Sequence, residues 1–159
     1  MSPIRVVWGS ASAPTAMASY DAALARAGIE NYNLVSVSSV IPADVDVEAV
    51  GTAPDLGPAG ERLTVVESRA TTAGPGRVSA ALAWSQAADD GPGLFYEVAG
   101  ETGREDVERR VREGLSAGQE LRDWAFTDPH VAVESSQAES GSYTTALVAA
   151  VYGKSEPIL

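Results

Sequence analysis

Helical periodicity surfaces only twice along this chain, and neither stretch alternates one for one with the strand-like segments around it. The first runs from Thr15 to Ala27, where Met17, Tyr20, Leu24 and Ala27 share one stripe and Gly28 is a natural stop. Asp21 follows Met17 by four residues, which puts a carboxylate at the margin of that stripe. The second opens with Thr102-Gly-Arg-Glu105, a capping-box pattern, and carries Val107, Val111, Leu115, Leu121 and Trp124 on one face before Asp128-Pro129 ends it. Strand patterns fall at Ile4–Trp8, Asn33–Val37, Leu63–Ser68, Val78–Trp84, Leu94–Val98, Val131–Ser136 and Thr144–Tyr152. Gly9–Pro14 reads as a turn leading into the first helix, and Ala43–Gly60 as a loop. Two helices among about seven strands predict an α+β protein, a layered αββα sandwich rather than a doubly wound sheet. A length of 159 residues suits a single domain spanning 1–159.

Several chemistries lack their residues. There is no cysteine, hence no disulfide, thiol nucleophile or zinc-thiolate site. The single histidine, His130, sits where a strand begins and is read as structural, since no Gly-x-Ser-x-Gly elbow supports a hydrolase built on it. Lys154, the only lysine, lies in a polar tail that offers no desolvated pocket for a Schiff base. No metal site and no pyridoxal cofactor are expected. Gly74-Pro-Gly76 and Asp89-Asp-Gly-Pro-Gly93 read as hairpin turns, because no Gly-Lys-Ser/Thr follows to make a phosphate loop.

Acids outnumber bases 22 to 11, a net charge of −11, so nucleic acid is not an expected partner. The acidity fits either attraction of a cationic substrate or adaptation to concentrated salt; scarce lysine favours salt, although a GC-rich genome would leave the same mark. No apolar run approaches a membrane span, and Met1–Trp8 carries no secretion signal, so a soluble cytoplasmic protein is expected.

The informative stretch is Asp21-Ala-Ala-Leu-Ala-Arg-Ala-Gly28, then Asn31-Tyr-Asn-Leu-Val-Ser-Val-Ser-Ser-Val-Ile-Pro42. A Ser-Ser dipeptide alone is common. Its specificity comes from Asn33 six residues before Ser39, Asp21 eighteen before it, and Glu97 on a later apolar strand. In this combination the chain resembles the processing region of the pyruvoyl-dependent arginine decarboxylases, and the resemblance extends more loosely across most of the sequence.

That resemblance implies self-cleavage between Ser38 and Ser39. The Ser39 hydroxyl would attack the Ser38 carbonyl, the resulting ester would eliminate, and residue 39 would become a covalently bound pyruvoyl group. A small chain, 1–38, and a large chain, 39–159, would result. The ketone then takes the role that pyridoxal plays elsewhere in amino acid decarboxylation.

The resemblance also suggests roles. Asn33 would supply a donor for the oxyanion, although a turn or strand-end hydrogen bond is the plainer reading of that residue. Glu97 would be the proton donor; among apolar neighbours such as Phe95 and Ala99 its pKa would rise from about 4.3, whereas a glutamate on a sheet otherwise faces solvent. Asp21 would hold the substrate guanidinium, with an intrahelical pair to Arg26 or a solvated position as alternatives. Ser36 and Ser38 would line the pocket.

The implied activity is conversion of L-arginine to agmatine and CO2, feeding polyamine synthesis, by a trimer of αβ protomers whose pockets are shared between neighbours. Two readings compete with it. One is a pyruvoyl decarboxylase for another amino acid such as histidine; the other is an uncleaved, non-catalytic binding or structural relative.

Overall fold

The computed structural model describes residues 2–159. Its elements are β1 (Ile4–Ala13), α1 (Ala16–Ala27), β2 (Asn33–Ser36), β3 (Val40–Ile41), β4 (Val47–Gly51), β5 (Arg62–Thr72), β6 (Gly76–Gln86), β7 (Gly93–Gly100), α2 (Arg104–Glu120), β8 (His130–Ala138) and β9 (Tyr143–Tyr152). Strands β2-β5-β9-β1-β4 form one sheet and β3-β7-β6-β8 a second. The protein is α+β, one domain with two sheets and two helices, as expected.

Three apolar clusters account for the packing. Ile4, Val6, Val66, Val148 and Ala150 of the five-stranded sheet meet Ile41, Ala80, Leu82, Trp84 and Phe95 of the four-stranded one. On the far side of the larger sheet, Ala23, Leu24 and Ala27 of α1 cover Val7, Val65, Leu147 and Ala149. On the far side of the smaller sheet, Val107, Val111 and Leu115 of α2 cover Ala81, Ala83 and Leu94. Strands β6 and β9 touch a neighbouring layer on each face, which is why their eight-residue stretches Val78–Ser85 and Thr144–Val151 are buried throughout rather than alternating.

Helix α1 begins where the Thr15 hydroxyl accepts from the Ala18 N–H at 3.1 Å, and it ends at Gly28, whose φ of 82° lets its N–H close the last turn. Its buried stripe differs from the expected one. Met17 is 73% exposed, and Ser19 takes the inward place, bonding Thr145 at 2.7 Å. Helix α2 does not form its capping box: its N-cap is Gly103, without a side-chain bond, and Leu121 is 82% exposed because the helix stops at Glu120.

Two expected irregular segments are strands. The run from Gly9 to Ala13 continues β1, paired with β9 as far as Tyr143. Its small residues are there for packing: a Cβ on Gly9 would come within 2.6 Å of the Ala23 carbonyl of α1. Within 43–60, β4 pairs in parallel with β1. Asp89–Gly93 is the hairpin connection between the paired strands β6 and β7, whereas Gly74-Pro-Gly76 is not a hairpin: it carries the chain from β5 of the larger sheet to β6 of the smaller one. His130 stacks on Trp84 at 5.6 Å.

Candidate active site

Strand β2 is an edge of one sheet and β3 an edge of the other, so the chain between them crosses from sheet to sheet. Val37 still donates to the Val65 carbonyl at 3.0 Å; Val40 already pairs with Leu94 of β7. Ser38 and Ser39 therefore form the crossing itself. An edge-to-edge step leaves its peptide groups outside both ladders, to be held individually.

Each is held. The Phe95 N–H donates to the Ser39 carbonyl at 2.8 Å, and the Val40 N–H donates back to the Ser38 carbonyl at 2.9 Å, closing a three-residue turn on Ser39. The Ser39 hydroxyl donates to Glu97 Oε2 at 3.2 Å. Ser38, Ser39, Glu97 and Tyr96 line a cleft of about 650 Å3 whose other wall is α2 at Gly114 and Gly118, with Arg122 beyond its end. Gly114 is required there, because the Tyr96 ring lies against its Cα where any Cβ would project.

Glu97 also borders a second cleft of about 390 Å3, shared with Ser36, Glu67 and Arg69. Glu67 is held from both sides: the Tyr20 hydroxyl donates to its carboxylate at 2.9 and 3.1 Å, and Arg69 Nε lies 3.5 Å away. The Arg69 guanidinium sits 4.1 Å above the Tyr20 ring. Burial, together with the Glu67 charge, pushes the Tyr20 phenol up to about 12.

Ser36, Ser38, Ser39 and Glu97 thus converge on one edge. Asn33 and Asp21 do not join them within one chain. Asn33 Nδ2 donates to the Gly60 carbonyl at 2.8 Å, the strand-end bond that was its plainer reading. Asp21 lies exposed on α1, which packs on the far face of the larger sheet. The apolar enclosure expected around Glu97 is absent in a single chain, because β3 ends before reaching it and its side chain is exposed.

Tyr96, Glu67, Arg122 and Tyr152 were not singled out from sequence. Glu67 and Arg69 share one side of β5 by simple alternation, so that pair was legible in principle. No local pattern signals its Tyr20 partner. Among the described residues, no group of three or more His, Asp or Glu is placed to hold a metal ion, and no helix is long and apolar enough to cross a membrane.

A family model described as pyruvoyl-dependent arginine decarboxylase matches residues 3–157. The pyruvoyl-dependent arginine decarboxylase of Halobacterium salinarum is 56% identical over 158 residues, covering 99% of this chain and 98% of the relative. That of Pyrococcus abyssi is 34% identical over 143 residues, 89% and 88% of the two chains, and that of Methanocaldococcus jannaschii 31% over 123 residues, 76% and 72%. The sheet-to-sheet Ser-Ser crossing beside a glutamate therefore sits in a sequence matched almost end to end, and the chain belongs to the pyruvoyl-dependent arginine decarboxylase family.

Proposed function

We propose that this chain cleaves itself between Ser38 and Ser39 and then decarboxylates L-arginine to agmatine and CO2. The observation that carries this reading is the hydrogen bond from the Ser39 hydroxyl to Glu97 at the mouth of the larger cleft. The names of the relatives favour arginine over histidine, and an active enzyme over a non-catalytic relative.

Self-cleavage uses this chain's own groups. Glu97 accepts the Ser39 hydroxyl proton as Oγ bonds to the Ser38 carbonyl carbon; the C–N bond then breaks, and the nitrogen of residue 39 leaves as an amine. The resulting ester loses the Ser39 α-proton and breaks at Oγ, freeing the Ser38 carboxylate and leaving dehydroalanine. Water then replaces its nitrogen, which departs as ammonia, and a ketone remains at residue 39. The halves 1–38 and 39–159 stay together because β1 of the small chain pairs with β9 of the large one over ten residues.

The site suits such a group. The Phe95 N–H already anchors the carbonyl of residue 39, and open space lies beside it. When present, the pyruvoyl ketone supplies an electron sink for loss of CO2 from a bound amino acid. Glu97 holds the proton that the product carbon must receive, and Ser36 and Ser38 offer hydroxyls to the substrate.

Asp21 would serve the cleft of a neighbouring protomer, binding the guanidinium there, in a trimer of αβ protomers in the cytoplasm. Exposed Met17, Val35, Val37 and Val40 offer apolar surface for that assembly. Asn33 would assist cleavage only by leaving Gly60.

Intact-mass measurement tests the core of this reading. Two chains split after Ser38, the larger with a blocked N-terminus, and CO2 release from arginine are expected. Ser39→Ala should give one uncut chain and no CO2. Undiminished CO2 release from that variant would sink the mechanism.

A further inference from the structure

Tyr152 closes β9 in the five-stranded sheet, yet its hydroxyl reaches across to the other sheet and donates to the Val40 carbonyl at 2.9 Å. Its ring meets Phe95 edge-on, with centroids 6.2 Å apart. Phe95 is the residue whose N–H holds the Ser39 carbonyl. Ile41 anchors one end of the segment in the core, but the exposed Val40 beside Ser39 has few ties of its own: β3 pairs with β7 only through Val40 with Leu94 and Ile41 with Gly93.

What Val40 does with its own N–H gives this grip a consequence. That N–H points at the Ser38 carbonyl oxygen, 2.9 Å away. When Ser39 Oγ bonds to the Ser38 carbonyl carbon, the carbonyl electron pair moves onto this oxygen and the hydroxyl proton passes to Glu97. When the tetrahedral carbon collapses, the pair returns, the C–N bond breaks, and the nitrogen takes up a proton as it leaves. A donor already aimed at that oxygen stabilises the charge without reorganising. The side-chain amide of Asn33 is engaged at Gly60 instead.

We propose that Tyr152 is a positioning residue for self-cleavage: by gripping Val40 from the opposite sheet, it keeps the Val40 N–H on the Ser38 carbonyl oxygen as the oxyanion donor. This rests on the self-cleavage reading above. Burial pushes the Tyr152 phenol up to about 12, so the hydroxyl remains protonated and able to donate across the neutral range.

The test is Tyr152→Phe, which keeps the ring and removes the donor. Precursor is refolded well below its melting temperature, and conversion to two chains is followed by intact mass, per folded molecule. Cleavage about tenfold slower than wild type is expected, a fraction of the effect of deleting an oxyanion donor outright. A hydroxyl with a purely structural role would lower the melting temperature and leave this rate unchanged. Hydrogen exchange of the Val40 amide, in the uncleavable Ser39→Ala precursor with Tyr152 intact, provides a second measurement that does not depend on the Phe variant folding. Slow exchange is expected there.

Cleavage of Tyr152→Phe at the wild-type rate, or a freely exchanging Val40 amide, overturns the role of Tyr152 while leaving self-cleavage standing. A wild-type chain that never splits removes both.

Discussion

Ser39 and Glu97, 58 residues apart in sequence, share a hydrogen bond of 3.2 Å at the point where the chain crosses from one sheet to the other. One carboxyl thus faces both the hydroxyl that would open the peptide bond and the space where substrate would sit.

Glu97→Gln separates these duties from folding. The amide keeps the size and can still accept from Ser39, but it cannot take or give the proton. Turnover of whatever fraction is cleaved should fall by about 100-fold or more, with cleavage itself slowed. Single-turnover CO2 release on the isolated two-chain form checks this, and turnover within a factor of about two of wild type would remove Glu97 from the proton-transfer role.

Asp21→Asn should process normally, because the groups that contact the Ser38–Ser39 bond are Glu97 and the Val40 N–H, and Asp21 is not among them. Losing a charge-assisted bond of about 1.5–3 kcal/mol should raise the KM for arginine by about tenfold or more while kcat changes little. Mixing Asp21→Asn with Ser39→Ala protomers gives a further readout: if pockets are shared between neighbours, mixed assemblies contain some pockets with both residues intact.

Asn33→Ala distinguishes a structural amide from a catalytic one. With its bond to Gly60 lost, the connection between β4 and β5 should loosen, costing about 1 kcal/mol of stability. If holding Gly60 is its whole function, the melting temperature drops and the rate of cleavage per folded molecule does not. A precursor that is fully folded and uncut would instead assign the amide to the oxyanion.

Tyr20 and Tyr152 should titrate late. Tyr20 and Tyr152 are both raised from 10.0 to about 12 in the folded chain, so between those values the native state holds protons that the unfolded state has released. Stability therefore falls as pH rises from 10 to 12, and the stabilising contribution is fully present below 10. Tyrosinate absorbance during an alkaline titration should show a late component, and Tyr20→Phe and Tyr152→Phe should each diminish it.

Added salt should stabilise the fold. The ion pairs among the described residues engage Glu67, Asp106, Glu113 and Glu156, few of the 22 acids in a chain of net charge −11. Shrinking the Debye length from about 30 Å at 0.01 M to about 3 Å at 1 M weakens their mutual repulsion. The melting temperature is expected to climb over that range; a fold and activity unchanged down to millimolar salt would end the salt-adaptation reading.

The sequence alone determined the α+β class, both helices, the hairpin turn at Asp89–Gly93 and the Ser-Ser step with its glutamate, because each is written in residues close together or in a family pattern; it took Gly74-Pro-Gly76 for a second hairpin, because turn chemistry does not say whether the strands it joins share a sheet. It misread Gly9–Ala13 because smallness that serves the packing of α1 looks like turn chemistry. Only the tertiary structure decided that Ser38 and Ser39 span the edges of two sheets, that Tyr152 reaches Val40 from 112 residues away, and that Asn33 and Asp21 lie apart from Glu97. Side-chain periodicity reports which face a residue takes, whereas the partner it meets there depends on how distant strands are ordered and stacked.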